Sequence, residues 1–224
     1  MRRHAVIFDL DGVLIDSEGL YFRAYSEVLK PYGVEVSRPE YEEHWIANGR
    51  GPEYIVAKHH LPLSAQELRR RRSPVYARLL ESEVTLMPYA VEALDRLAPS
   101  FTLAVATNTD REHLDFVLAH LAIARFFTLT IAREDYSRAK PEPDAFLMAA
   151  EKLGAPPRAC VVIEDTYKGV TAAFRAGMAC VAVPNEYTEH NDFSRADIVL
   201  PSLRELTPRV IESVGGREPS RARR

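Results

Sequence analysis

The chain has 224 residues, with 29 Lys and Arg against 32 Asp and Glu, so its net charge of −3 gives no basic excess for nucleic acid or an anionic membrane surface. No apolar run is long enough to span a bilayer, and "AVIF" (5–8) is too short for a secretory signal before Asp9 ends it. Cys160 and Cys180 sit in apolar runs without metal-ligand spacing and read as reduced, buried thiols of a cytoplasmic protein, with a monomer as the default.

The first element is an apolar strand that runs straight into Asp9, with Asp11 one residue beyond and Asp16 soon after. Residues 16–87 then carry helical patterns near 17–31, 38–46, 51–60 and 64–82, with no convincing strand. The basic run "LRRRRS" (68–73) lies in the last of these near Glu67, Glu81 and Glu83, and reads as a solvated helix face.

From about residue 88 the texture changes. "FTLAVATN" (101–108) is a dense apolar strand and "REHLDFVLAHL" (111–121) a helix. A short strand over 126–132 leads to a helix over 139–154, entered through prolines and closed by Gly154. A strand from Cys160, a helix over 167–178, strands at 180–184 and 197–202 and a last helix at 203–213 complete the alternation.

Apolar strands alternating with helices predict an α/β fold, a doubly wound Rossmann-like parallel sheet covered on both faces. The expected layout is a core of residues 1–15 and 88–214, an inserted all-helical cap over 16–87, and a disordered tail at 215–224.

In a doubly wound sheet, ligands bind beyond the carboxyl ends of the strands. Asp9 and Asp11 end the first strand, Thr107 and Asn108 the strand from 101, and Glu164 and Asp165 the strand from 160; Lys140 lies between the last two in "KPEP". Each alone has an ordinary explanation: a turn acid, a helix N-cap, a solvated lysine, an acid at a helix start. Together they place carboxylates, a hydroxyl, an amide and an amine in one crevice. Hard oxygen ligands suit Mg²⁺, which typically shares its shell with a substrate phosphate. A carboxylate held against phosphorus can act as a nucleophile, and a second acid two residues on can carry the proton.

"DLDGVLIDSE", "ATNT", "AKPEPDAF" and "VIEDTYKGVTAAFRAGM" together resemble the four motifs of the haloacid dehalogenase-like hydrolases. The branch most resembled has a helical cap after the first strand and includes phosphoglycolate phosphatase, sugar-phosphate phosphatases and β-phosphoglucomutase. The resemblance covers residues 4 to 213 and is far more specific for the superfamily than for a substrate. It implies a phosphatase acting on a small phosphorylated metabolite, with Asp9 as nucleophile and Asp11 as general acid/base. Thr107 and Lys140 would stabilise the transferring phosphoryl group. Mg²⁺ would be held by Asp9, the Asp11 carbonyl and Asp165, with Glu164 as a further ligand or a partner behind the ligands. Thr166 stands where the family often has serine.

The resemblance also ranks the alternatives. Dehalogenases of this fold lack the second aspartate, and a catalytically silent binding protein would be expected to lack Asp9, Asp11 or Lys140. A β-phosphoglucomutase-type reaction remains the alternative, although Tyr21 stands where that mutase has a cap histidine. In the cap, Asn48, Gly49, Arg50 and Gly51 read as a specificity loop, with Arg50 able to bind an anionic or hydroxyl group by its planar fork. Gly49, Arg50, Tyr21 and the strand-end Asn108 are the expected substrate contacts, with Arg72 a further candidate. Trp45, Tyr41 and Tyr54 read as cap core, and His59 and His60 as surface.

Overall fold

A computed structural model describes residues 5–214, so the tail at 215–224 lies outside the described residues. The chain divides into two compact units, Asp16–Thr85 and the remainder. Two short strands, β2 (Ile15–Asp16) and β3 (Thr85–Leu86), form a two-stranded sheet where the chain passes from one unit to the other.

The larger unit is a parallel sheet of β1 (Ala5–Phe8), β4 (Thr102–Ala106), β5 (Leu129–Ile131), β6 (Cys160–Glu164), β7 (Ala179–Ala182) and β8 (Ile198–Val199). Their order is β5-β4-β1-β6-β7-β8. The chain builds outward on one side of β1, then returns to build outward on the other, which makes the edge of β1 the point where strand order reverses. Phe8 pairs in register with Val105 and Ile163. Asp9, Thr107 and the Glu164–Asp165 pair therefore leave the sheet along one edge.

Burial explains why β1 reads as an unbroken apolar run. Ala5 and Ile7 pack with Phe146 and Ala149 of α7 (Asp144–Lys152) and with Val170 and Ala173 of α8 (Tyr167–Arg175). Val6 and Phe8 point to the opposite face by the two-residue period of a strand and are fully buried as well. Helices α5 (Ala90–Leu97), α6 (Arg111–His120) and α9 (Pro208–Ser213) complete this unit. Both cysteines are thiols buried in strands.

The expected helix over 139–154 is shorter, beginning only at Asp144. A residue before proline is pushed away from the helical region, and Lys140 and Glu142 precede Pro141 and Pro143. Lys140 thus stands in an irregular loop. The last helix is likewise reduced to a short turn at Leu203–Glu205 and α9, because Pro208 sets its own start.

The smaller unit consists of α1 (Glu18–Leu29), α2 (Arg38–Tyr41) running into a wide helical turn over Glu42–Ala47, α3 (Gly51–Lys58) and α4 (Ala65–Glu83). Helix α4 starts at Ser64, whose hydroxyl accepts from the Glu67 amide, and it packs along α1. Tyr41 and Trp45 are buried and stack at 5.5 Å, while Tyr54 is half-buried and stacks on His44. His59 and His60 are exposed.

Candidate active site

Asp9, Lys140, Glu164 and Asp165 meet at the carboxyl edge of the sheet, all at most 7% exposed. Lys140 Nζ donates to Asp9 Oδ1 at 2.6 Å and to Glu164 Oε1 at 2.8 Å, and sits 4.6 Å from the Phe146 ring centre. Burial pushes the Asp9 carboxyl up to about 7; Lys140 opposes the rise, and Glu164 and Asp11 add to it. For Lys140, burial works against the charge, but the two facing carboxylates outweigh it and hold its pKa above the ordinary lysine range.

Glu164 is fully engaged. Its Oε1 accepts from Lys140, and its Oε2 accepts from the Asp165 and Thr166 amides at 2.9 Å and the Thr166 hydroxyl at 3.0 Å. Thr166 in turn caps α8 by accepting from the Gly169 amide. Position 169 must be glycine for this arrangement, because a Cβ there would fall inside the Glu164 carboxylate.

Asp11 meets the loop after β4. Its carboxylate accepts a hydrogen bond from the Thr109 hydroxyl, and the Thr109 amide donates to Thr107 Oγ1 at 3.1 Å. Thr107 is buried at the end of β4, within the loop that also carries Asn108. Asn108 Oδ1 accepts from the Tyr136 hydroxyl at 2.7 Å and the Lys140 amide at 3.2 Å. The Asn108 side-chain oxygen is thereby committed to tying the β4 loop to the lysine loop. Asp16 is exposed in β2.

The donor set fits a hard divalent cation. One carboxylate oxygen each from Asp9, Glu164 and Asp165 can lie within 4.8 Å of the others. Against these three acids and the nearby Asp11, the described contacts set one ammonium, so a further cation would relieve a charge excess among buried carboxylates.

In the cap, Gly49 and Arg50 are exposed, Gly49 with a positive φ of 66°. Arg69, Arg70 and Arg71 pair with Glu53 and Glu67 in the solvated manner expected of the basic run. Arg72 does not. It is half-buried, with its guanidinium 4.2 Å from the Tyr21 ring centre and 5.3 Å from that of Tyr76, and it donates to the Tyr21 hydroxyl at 2.9 Å. Its Nε is buried without a hydrogen-bond partner.

Three residues of the larger unit were not singled out by the sequence: Thr109, Tyr136 and Asn185. Thr109 follows directly on the "ATN" strand end and could have been found there; the other two carry no motif signal.

Residues 4–177 match the model of the haloacid dehalogenase-like hydrolases. The protein CbbY of Rhodobacter capsulatus is 31% identical over 215 residues, covering 91% of this chain and 95% of its own. The fructose-1-phosphate phosphatase YqaB of Escherichia coli is 31% identical over 188 residues, covering 81% and 97%. CbbY from Rhodobacter sphaeroides, solved in complex with phosphate, is 28% identical and superimposes with a TM-score of 0.77 over 91% of this chain and 96% of that one. The chain belongs to the haloacid dehalogenase-like hydrolases. The enzyme class that its named relatives define is a phosphatase acting on phosphate monoesters.

Proposed function

We propose that the protein is a Mg²⁺-dependent phosphatase for a small phosphorylated sugar or related metabolite, working through a phosphoaspartyl intermediate at Asp9. The observation that carries this reading is the convergence on Asp9 of a buried lysine and two further buried acids at the reversal point of the sheet. Asp9, the Asp11 carbonyl and Asp165 would hold the metal. Glu164, its oxygens already engaged, serves as partner to Lys140 and to the turn. When bound, Mg²⁺ offsets negative charge on the phosphoryl oxygens and on the carboxylates around them.

Asp9 attacks phosphorus through a carboxylate oxygen, and the bond from phosphorus to the leaving oxygen breaks. Asp11 gives its proton to that oxygen. In the second half, Asp11 takes a proton from water, the water oxygen bonds to phosphorus and the Asp9–phosphorus link breaks, which releases phosphate and restores both acids. Lys140 and Thr107 hold the transferring oxygens as charge develops on them.

The Thr109 contact, which holds the Asp11 carboxylate to the loop after β4, supports a proton-carrying role for it. In the cap, Arg50, Gly49 and Tyr21 are assigned to substrate selection, with Arg72 beside Tyr21. A sugar phosphate is favoured because one relative is named a fructose-1-phosphate phosphatase and a mutant of the Rhodobacter sphaeroides CbbY was solved with xylulose-(1,5)bisphosphate.

Phosphate release from p-nitrophenyl phosphate with and without Mg²⁺ tests the reading. Turnover should require the metal and vanish in Asp9→Asn; a variant as active as wild type would refute the assignment of the nucleophile.

A further inference from the structure

Asn185 lies outside every motif, in the loop after β7, yet its side chain joins the two acid-bearing segments of the site. Its Nδ2 donates to Asp165 Oδ2 at 2.8 Å and to the Gly12 carbonyl at 3.2 Å. Its Oδ1 accepts from the Tyr187 amide at 2.9 Å, and its own amide donates to the Thr188 hydroxyl at 3.0 Å. Thr188 is buried and donates its amide back to the Asn185 carbonyl at 3.0 Å.

These contacts fix which way the amide faces. Turned over, Oδ1 would confront a carboxylate and a carbonyl while Nδ2 met an N–H, so all three favourable contacts would become repulsive. The loop is also anchored to the sheet, since the Val183 amide donates to the Glu164 carbonyl at 2.7 Å.

The partner of this clamp is the turn after Asp9 and Asp11. Gly12 has a positive φ of 74°. A Cβ there would collide with Asp165 Oδ2 and come within 2.7 Å of Asn185 Nδ2. The glycine therefore allows backbone, amide and carboxylate to meet at one point. A residue that orients one oxygen of Asp165 and holds the turn bearing Asp9 acts on the spacing between both carboxylates at once.

We propose that Asn185 is a positioning residue for the metal site, fixing Asp165 and the Asp9–Gly12 turn in the geometry that binds a divalent cation. The inference rests on the reading above that Asp9 and Asp165 hold Mg²⁺. Residues standing behind metal ligands typically change affinity by about 10–100-fold when removed.

The test is Mg²⁺ binding to the full chain by titration calorimetry, with circular-dichroism melting in chelator as a control for folding. Asn185→Ala should weaken binding about 10–100-fold while its melt in chelator stays cooperative, lowered by no more than the lost hydrogen bonds account for. Asn185→Asp keeps the shape but loses both donors, so it should fail to restore affinity despite its added negative charge. It also serves as the measurement if the alanine variant is poorly folded. Binding within about twofold of wild type in both variants, or tighter binding in Asn185→Asp, overturns the positioning role. Asp165→Asn separates the two claims: if it binds Mg²⁺ as wild type does, the metal reading itself falls. If it loses binding while both Asn185 variants keep theirs, only the role of Asn185 falls.

Discussion

Replacing Lys140 with methionine keeps most of the side-chain volume and removes one charge from the centre of the site. The ammonium faces Asp9 at 2.6 Å and Glu164 at 2.8 Å, with its side chain only 4% exposed. At an effective dielectric constant of about 20, each contact is worth roughly 6 kcal/mol of gross attraction. The cost of burying the charges cancels much of this, and breaking a buried pair from one side typically costs about 3–5 kcal/mol. For a chain of this size that lowers the melting temperature by roughly 10 °C.

The measurement is a thermal melt in chelator, so that no bound cation compensates the acids. The double variant Lys140→Met, Asp9→Asn should recover part of the loss, because the asparagine carries no charge to leave stranded. A single variant that melts with wild type, or a double variant no more stable than the single one, would refute the view that Lys140 holds these acids in place. Phosphate release should fall by about 10²–10³-fold in the single variant, as when one fixed donor to a developing charge is lost.

Thr109→Val removes the donor to Asp11, so turnover of an alkyl phosphate, whose leaving oxygen needs a proton, should fall by about tenfold or more. The burst of nitrophenolate from p-nitrophenyl phosphate, whose leaving group needs none, should change little; Thr109→Ser should restore the alkyl substrate, and pre-steady-state kinetics on both substrates decides. Gly169→Ala drives a methyl group into the Glu164 carboxylate, with an expected cost of about 1–3 kcal/mol read from a chemical denaturation curve. A curve superimposable on wild type would show that Glu164 is free to move.

The edge of the sheet was legible because a buried parallel strand is apolar until it ends, so acids directly after "AVIF" and "CVVI" mark where β1 and β6 emerge. What the sequence hides is which partners these ends acquire. Asn108 looks like a ligand-facing amide, but its oxygen is taken by Tyr136, 28 residues later and on the far side of β5. That contact depends on how β5 pairs with β4. Asn185 carries no motif signal in "VPNEYT", and only the loop that closes on Thr188 turns its amide toward Asp165.

The run "RRRR" is ambiguous for a different reason. Four like residues conceal the phase of the helix, and it takes Tyr21, Tyr25 and Tyr76 to show that Arg72 alone turns inward. The late start of α7 was readable from two X–Pro pairs and shows that proline can delay a helix as well as open one.

The chain's single tryptophan, Trp45, is buried in the Asp16–Thr85 unit against Tyr25 and Tyr41, and Gly51 packs on its ring so closely that no side chain would fit there. Indole emission from this protein is therefore a local signal of the Asp16–Thr85 unit. Set beside circular dichroism, which sums over both units, it separates the melting of the helical insert from that of the strands without any added label. A perturbation of the catalytic residues that leaves indole emission unmoved would be assigned to the sheet-bearing unit by optics alone.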